Sequence, residues 1–212
     1  MLSTARLLTR LAPADIAARL RLPPPLVSPA DLHRGEIASG TQIKEAAVLV
    51  PMVEREGQVS LLFTQRTPHL SAHAGQISFP GGRVEAGDAS REDTALRETE
   101  EEIGLARKHV QVLGMLPVYS LPTGFCITPV VGWINAPFET LPDPFEVADI
   151  FEIPLDHFLD PARYQRREYQ FNGRHRHYVA IPYEGRYIWG ATAGMLLSLA
   201  HMLSTRSART AA

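Results

Sequence analysis

The chain of 212 residues has little net charge, one cysteine and no long apolar run. A formal charge of −2 excludes a general attraction to nucleic acid or acidic membranes, so any anion site must arise locally. Because Cys126 is the only cysteine, an internal disulfide is excluded. We expect a core position for it and a reducing, cytoplasmic compartment. The apolar stretch 188–203 is interrupted by glycine and polar residues, which argues against a membrane span.

Lysine is also scarce. Of the 21 basic residues only Lys44 and Lys108 are lysines, so the rest are arginines. Arginine suits phosphate recognition, but a codon bias gives the same composition, and we favour that explanation. Arginines and histidines cluster over 166–177, where a solvated sheet face is favoured over a nucleic-acid patch. We therefore expect a small-molecule substrate and neither a nucleic-acid nor a membrane partner. A homodimer is left open.

The sequence predicts three segments. Residues 1–42 form a leader with one helix, opened by Pro13 and stopped by the prolines at 23–25, and a Pro-rich connector. A short amphipathic helix is favoured there over a mitochondrial presequence. Residues 43–205 form a single domain large enough for its own core, and 206–212 form a disordered tail.

Regular structure is predicted to begin with a hairpin of strands 46–53 and 59–66 around a polar turn. Val59, Leu61 and Phe63 share one face of the second strand. A helix is expected from an N-cap at Ser90 to a C-cap at Gly104. The remaining predictions are an irregular stretch at 67–87, strands at 110–116 and 125–134, an acidic loop at 136–149, a hairpin over 164–181 with a type I′ turn at 172–173, and a helix over 191–203.

The predicted helix of residues 90–103 carries three carboxylates that can meet one ligand. Glu98 and Glu102 are one turn apart, and Glu101 is three residues from Glu98. Like charges at this spacing cost roughly 0.2–0.5 kcal/mol per pair, which a solvated helix face tolerates. The helix alone therefore leaves a surface face and a metal site equally open.

Neighbouring residues favour the metal site. Gly81 and Gly82 allow backbone conformations closed to other residues, so a carbonyl or amide can approach a bound ion. Arg97 can fix one of the carboxylates by a bidentate pair. All candidate ligands are oxygens, which favours a hard cation such as Mg²⁺ or Mn²⁺ over zinc.

The segment 82–105 resembles the signature box of the Nudix hydrolases. The family pattern is Gly, five residues, Glu, seven residues, Arg-Glu, an aliphatic, any residue, Glu-Glu, any residue, Gly and an aliphatic; here it matches fully over 97–105 except at Thr99. Asp88 stands in place of the first glutamate, and eight residues separate it from Arg97. The resemblance implies an α/β fold: an α/β/α sandwich with a mixed central sheet. The chain would add an N-terminal helix and a C-terminal hairpin plus helix.

A longer stretch resembles the coenzyme A pyrophosphatase branch of the Nudix proteins, which carries the same change of spacing. The resemblance runs through 61–66, Leu70, His73, 75–82 and Asp88, and continues weakly to Ile188-Trp189-Gly190. It implies hydrolysis of coenzyme A, or an acyl derivative, to 3′,5′-ADP and 4′-phosphopantetheine.

The resemblance also implies roles for individual residues. Glu98, Glu101 and Glu102 would bind Mg²⁺ or Mn²⁺, and Glu98 is the first candidate to contact both metal and water. Arg97 belongs to the same catalytic group. Glu146 is a second candidate for the base, although an exposed loop acid is the favoured interpretation. The expected substrate-binding residues are Arg66, His73, Gln76, Gly81 and Gly82; for His73 a bond to nearby backbone is an equal alternative.

Two other functions stay open at this stage. A Nudix enzyme for NADH, ADP-ribose or another nucleoside diphosphate derivative would carry the same box, because one metal box serves many substrates. A non-catalytic nucleotide-binding module is the third possibility, and the intact Glu98, Glu101 and Glu102 argue against it.

Overall fold

A computed structural model describes residues 12–22, 37–70, 73–171 and 174–204. The first hairpin is confirmed: strand β1 (Lys44–Arg55) pairs antiparallel with β2 (Gln58–Arg66). The turn is tighter than predicted, because Glu54 and Arg55 extend β1. Glu56 and Gly57 make the turn with φ of 53° and 77°, a conformation that glycine adopts without strain.

Six further strands join this hairpin: β3 (Ile77–Ser78), β4 (Gly81–Arg83), β5 (Val110–Met115), β6 (Tyr119–Ser120), β7 (Phe125–Ile134) and β8 (Val147–Pro154). Together these eight strands of the described chain form a mixed sheet with the central order β3-β2-β1-β7-β5. The remaining strands β4, β6 and β8 pair with β1, β7 and β2 respectively. Strand β7 runs parallel to β1, and every other pairing in this sheet is antiparallel.

The sheet separates two hydrophobic cores. Val59, Leu61 and Phe63 pack into the larger core, while Leu62, from the opposite face of β2, packs into the smaller one. The predicted division of β2 into two faces is therefore confirmed, and both faces are buried. Strands covered on both sides place the sheet in the middle of a sandwich, as an α/β/α fold requires.

The helix predicted from Ser90 is α2 (Arg91–Ile103), and α1 (Pro13–Leu20) precedes it in the chain. The Asp93 amide donates to Ser90 Oγ at 3.1 Å, and Gly104 closes the helix with φ of 67°. Thr99, at a position that is usually aliphatic, is buried and donates its hydroxyl to the Ala95 carbonyl. Both predicted caps of α2 are thus confirmed.

The larger core lies on the other side of the sheet. Helix α1 adds Ile16 and Leu20 to it, and Pro13 is the first helical residue as predicted. The prolines at 23–25 and the tail at 206–212 lie outside the described residues. Two further helices, α3 (Leu155–Leu159) and α4 (Gly190–Ser204), also pack here. The sequence predicted α4 but not α3.

The predicted C-terminal hairpin consists of β9 (Gln165–Phe171) and β10 (Arg174–Tyr183), and a further strand, β11 (Arg186–Trp189), was not predicted. These three strands form a second, antiparallel sheet in the order β11-β10-β9. The proposed turn at 172–173 lies outside the described residues.

Three expectations were wrong. The stretch 67–87 contains β3 and β4, which exist only because β2 and β1 supply their pairing partners. The acidic loop ends at β8, whose first residue is Val147. Cys126 is half-buried on β7 rather than a core residue. In the described parts of the chain, no helix is both long and apolar enough to cross a membrane.

Candidate active site

The glycine turn lies beneath α2 because β4 pairs with β1. Val48 is opposite Gly81 and Ala47 is opposite Gly82 in this register. Gly81 has φ of 149°, and a Cβ added there would lie 2.4 Å from the Ala47 carbonyl oxygen. Only glycine can therefore occupy this position without moving β1.

Gly82 is required for a different reason. A Cβ at this position would lie 2.3 Å from the Glu98 carboxyl carbon. The Glu98 carboxylate occupies the space that a side chain at position 82 would fill. The turn and the helix therefore bring a backbone segment and a carboxylate into direct contact at one point.

Arg97 organises one side of the site. Its Nε and Nη2 donate to the two Asp88 carboxylate oxygens at 2.8 and 3.0 Å, a bidentate pair. Its remaining hydrogen bonds go to Glu98 at 3.0 Å, Glu101 at 3.1 Å and the Arg83 carbonyl at 3.1 Å. Five bonds match the five N–H groups of a guanidinium, so the side chain has no freedom left to rotate.

Asp88 is the residue whose role the sequence left least certain. Its side chain is 4% exposed and also accepts from the Glu85 amide and the Thr94 hydroxyl, each at 2.8 Å. The hydrogen bonds from Arg97 hold the pKa of this carboxyl well below its usual range. A permanently ionised Asp88 therefore anchors Arg97, despite its shorter side chain and the extra residue in the box.

Glu102 is the most buried carboxylate of the site. Its Oε2 accepts from the Gly81 amide at 3.1 Å, and its Oε1 lies 3.6 Å from Arg66 Nη1. Burial raises the pKa of Glu102 to about 7, with further contributions from the charges of Glu146 and Glu98. The site thus holds a carboxylate that gains from a nearby cation when it ionises.

Glu98 and Glu101 differ in their surroundings. Burial raises the pKa of Glu98, against the opposing effect of Arg97. The Glu101 side chain is 60% exposed and turns toward Arg97. Of the three expected metal ligands, the structure brings Glu98 and Glu102 to the glycine turn and leaves Glu101 at the rim.

Arg66 and Glu146 form the opposite side. Arg66 Nη2 lies 3.8 Å from Glu146 Oε2, and the Glu146 side chain is 47% exposed. The loop 139–146 delivers this acid by docking on the end of α2. Its Leu141 and Asp143 amides donate to the carbonyls of Ile103 and Glu102, at 2.7 and 2.9 Å. A residue distant in sequence is therefore brought within electrostatic range of Glu98 and Glu102.

The remaining expected substrate contacts lie between β2 and β3. His73 has φ of 60°, and its Nδ1 is 2.8 Å from Gln76 Oε1. The Gln76 carbonyl accepts from the Arg66 amide at 2.9 Å. His73 and Gln76 thus form one exposed pair beside Arg66; the His73 imidazole bonds to a side chain, and the His73 carbonyl accepts from the Gln76 amide at 3.1 Å.

The donor set fits a hard divalent cation. The groups that meet at the turn are carboxylate oxygens and backbone groups, which suit Mg²⁺ or Mn²⁺. Across the part of the chain that the structure describes, no three His, Cys, Asp or Glu side chains already form a metal-binding cluster. Glu98 and Glu102 could hold a cation as they stand, whereas Glu101 could reach it only by leaving Arg97.

Sequence reasoning did not foresee how the loop 139–146 is held. The amides of Leu141 and Asp143 cover carbonyls that a helix end leaves unpaired. A Cβ at Gly104 would lie 3.1 Å from Leu141, so this glycine serves both the cap and the loop. The only sequence signal was Gly104 itself, and it does not say which segment packs against it.

A helix of carboxylates over a glycine turn, on a mixed sheet, suits metal-assisted hydrolysis of phosphate anhydrides. The chain belongs to the Nudix family, because the model of the NUDIX domain matches residues 43–171. It is a Nudix hydrolase, and membership implies hydrolysis of a pyrophosphate bond. Nudix hydrolases generally need divalent metal ions.

Curated relatives cover between 77% and 91% of the chain. The uncharacterized Nudix hydrolase NudL of Citrobacter koseri is 39% identical over 91% of this chain and 95% of its own. NudL of Salmonella newport is 43% identical over 77% of this chain and 84% of its own. A solved Caenorhabditis elegans Ap4A hydrolase is 20% identical with a TM-score of 0.45, covering 54% of this chain and 82% of its own.

Proposed function

We propose that the protein hydrolyses the pyrophosphate bond of coenzyme A, or of an acyl derivative, to 3′,5′-ADP and 4′-phosphopantetheine, with Mg²⁺ or Mn²⁺. The observation that carries the proposal is the bidentate Asp88–Arg97 pair. It supports the view that the lengthened box is a working variant rather than a decayed one. That variant spacing is the feature shared with the coenzyme A pyrophosphatase branch.

The carboxylates supply the negative side of the site. Glu98 and Glu102 would hold the cation, with Glu101 as a third ligand once it leaves Arg97. When bound, a divalent cation neutralises charge on the phosphate oxygens and lowers the pKa of a water molecule. Arg97, fixed by Asp88, keeps Glu98 in one rotamer, and the Gly81 amide does the same for Glu102.

The reaction needs a group that takes a proton from water. The water oxygen bonds to one phosphorus, the bridging P–O bond breaks, and the bridging oxygen leaves with the other phosphate. Glu98 is the first candidate for the base, since burial raises its pKa and so strengthens it as a proton acceptor. Glu146 is the second, on the opposite side of the site beside Arg66.

Arg66, His73 and Gln76 would contact the substrate. The Arg66 guanidinium lies between Glu102 and Glu146 at 3.6 and 3.8 Å, distances longer than those of hydrogen bonds. Such loose contacts leave its N–H groups available for phosphate oxygens. Gly81 and Gly82 would let the backbone approach the same phosphates.

A substrate panel tests the proposal. The protein is incubated with coenzyme A, NADH and ADP-ribose, each with Mg²⁺, with Mn²⁺ and with a chelator, and the products are separated by chromatography. We expect 3′,5′-ADP and 4′-phosphopantetheine, only with metal, and the highest kcat/KM for coenzyme A. Preferred cleavage of NADH or ADP-ribose would identify that compound as the substrate in place of coenzyme A, and no cleavage of any of the three would reject the proposal.

A further inference from the structure

A cavity of about 440 Å³ lies where the edges of the two sheets meet. Strand β3 is the edge of the large sheet and β11 is the edge of the small one. Gln76 and Ile77 line the cavity from the β3 side, and Arg186, Tyr187 and Trp189 line it from the β11 side. Its volume is in the range of small-molecule sites, and no acidic residue is among the described residues that line it.

The cavity has an aromatic wall that the fold leaves uncovered. Tyr187 and Trp189 are 43% and 40% exposed, and they share one face of β11 because they are two residues apart. The ring of Tyr178, on the neighbouring strand, meets Trp189 edge-on at 5.5 Å between centroids. Trp189 is therefore supported from one side while much of its surface is free for a ligand.

The polar groups of the cavity are held in place. Arg186 donates to Asp149 at 2.8 Å and to Gln65 Oε1 at 3.3 Å, and its guanidinium lies 3.5 Å from the centroid of the Phe151 ring. Asp149 compensates its charge, so the cavity offers planar N–H donors rather than a strong positive field. In the Gln65 amide, Oε1 accepts from Arg186 and Nε2 donates to the Gly75 carbonyl at 3.4 Å, which leaves the second N–H of Nε2 and the second lone pair of Oε1 for a ligand.

This lining fits a heteroaromatic ring. An aromatic wall favours stacking, and amide groups can pair with the mixed donors and acceptors on the edge of a purine. A phosphate alone would leave the exposed surfaces of Tyr187 and Trp189 in water. A purely aliphatic ligand would lie against the polar edge formed by Arg186 and Gln65 without a hydrogen bond to it.

The cavity is also joined to the candidate active site. Gln76 lines it, and the Gln76 carbonyl accepts from the Arg66 amide at 2.9 Å. The Arg66 guanidinium in turn lies 3.6 Å from Glu102. Gln65, which lines the cavity, and Arg66 are adjacent at the end of β2, where the pairing with β8 shifts in register. A substrate that crosses the sheet edge at Arg66 would thus have its phosphates at the carboxylates and its other end in the cavity.

We propose that this cavity binds the purine base of the substrate, with Trp189 as the stacking platform. The inference rests on the proposed function only in requiring a nucleotide derivative as substrate. It adds Trp189, Tyr187 and Arg186 to the residues that recognise it. The other half of the substrate would lie elsewhere.

The test measures binding of the two product halves separately. Calorimetry would compare adenosine 3′,5′-bisphosphate and 4′-phosphopantetheine on the full chain and on Trp189→Ala. We expect the variant to bind the bisphosphate about tenfold more weakly, the size of a lost base–aromatic stack, and phosphopantetheine unchanged. Met115→Ala is the matched control: Met115 is 41% exposed on β5, at the opposite edge of the large sheet, and should change neither affinity.

A second variant covers the case in which Trp189→Ala does not fold. Trp133 is the only other tryptophan and is buried on β7, so quenching of the exposed tryptophan reports on Trp189. AMP should quench the fluorescence of the native chain, and Trp189→Phe should abolish most of the quench while keeping part of the affinity.

Several results would overturn the inference: unchanged bisphosphate affinity in Trp189→Ala, or a loss confined to phosphopantetheine. A loss caused by Phe145→Ala instead would also do so, because it would place the base on the exposed Phe145 ring near His69. Nucleotide binding that depends on Trp189, in a protein that does not cleave coenzyme A, would support the cavity and reject the substrate. Cleavage of coenzyme A with unaffected binding would reject the cavity alone.

Discussion

The candidate site has two sides that are held in different ways. On the helix side, Asp88, Arg97 and Glu98 are joined by hydrogen bonds of 2.8 to 3.0 Å. On the loop side, Arg66 and Glu146 approach no closer than 3.8 Å, and the Glu146 carboxylate is half in solvent. The helix side is built before any ligand arrives, whereas the loop side has contacts that a substrate can replace. The side chains held most rigidly are therefore those next to the proposed cation site.

The largest effect is expected from the helix side. Glu98→Gln should lower kcat by about 10²–10⁴, because it removes both a ligand charge and the first candidate base. Steady-state kinetics at saturating Mg²⁺ would measure the loss. Glu100→Gln is the control on the same helix, since Glu100 pairs with Arg107 outside the site. Full turnover by Glu98→Gln would reject the assignment.

The next effect tests whether the helix side depends on its contact with the glycine turn. Gly82→Ala should lower kcat by about 10²-fold, because its Cβ would displace the Glu98 carboxylate. Gly87→Ala, in the same box, would place its Cβ more than 4 Å from every described residue other than its chain neighbours, and it should retain activity. Equal activity of the two variants would show that the position of Glu98 is not critical.

Loop-side substitutions should cost less. Glu146→Gln is expected to reduce kcat by less than about tenfold if Glu98 is the base, and by about 10²–10⁴ if Glu146 is. The kcat of Glu146→Gln therefore distinguishes the two candidate bases, because Glu98→Gln also removes a ligand charge and is slow in either case.

Arg66→Ala tests substrate contact on the same side. It should raise KM more than it lowers kcat, because Arg66 contacts neither Glu98 nor Arg97 in the structure. The ratio of kcat/KM for coenzyme A to that for dephospho-coenzyme A, measured in the native chain and in Arg66→Ala, tests whether Arg66 contacts the 3′-phosphate. An unchanged preference between the two would exclude that role.

The smallest effect concerns stability. With a pKa of about 7 in the folded state, Glu102 holds its proton more tightly than in the unfolded chain. That contribution is fully present below the unfolded pKa of 4.5 and is lost as pH rises through the folded value of about 7. Metal-free Glu102→Gln should therefore be more stable than the native chain at pH 8, by about 1–3 kcal/mol, and similar to it at about pH 4. Urea unfolding with a chelator measures this, and lower stability of the variant at pH 8 would contradict it.

The helix side was largely predictable from sequence, because it depends on contacts within one box. The spacing of Glu98, Glu101 and Glu102, the Ser90 cap and the Gly104 cap all follow from one helical period. The pairing of Arg97 with Asp88 was not predicted. Asp88 is shorter than the usual glutamate and lies one residue further from Arg97, so it reaches Arg97 only if the loop before α2 bends. That bend is visible in the hydrogen bond from the Glu85 amide to Asp88.

The loop side and the cavity depend on long-range packing. Strand β8 fixes the end of the acidic loop by pairing with β2, and its mixed sequence has no regular alternation to reveal it. Strands β3 and β11 are short, and each is stabilised by a neighbour far along the chain or by a turn. The convergence of Trp189 with Gln76 therefore required the assembled sheets.

Manganese binding tests the central claim most directly, because it separates metal binding from catalysis. Electron paramagnetic resonance would titrate Mn²⁺ into the native chain, Glu98→Gln and Glu102→Gln, without substrate and at pH 8. We predict saturable binding by the native chain and at least about tenfold weaker binding by each variant, as expected when a carboxylate ligand loses its charge. Identical titrations for all three proteins would contradict the claim that Glu98 and Glu102 hold the cation at the glycine turn.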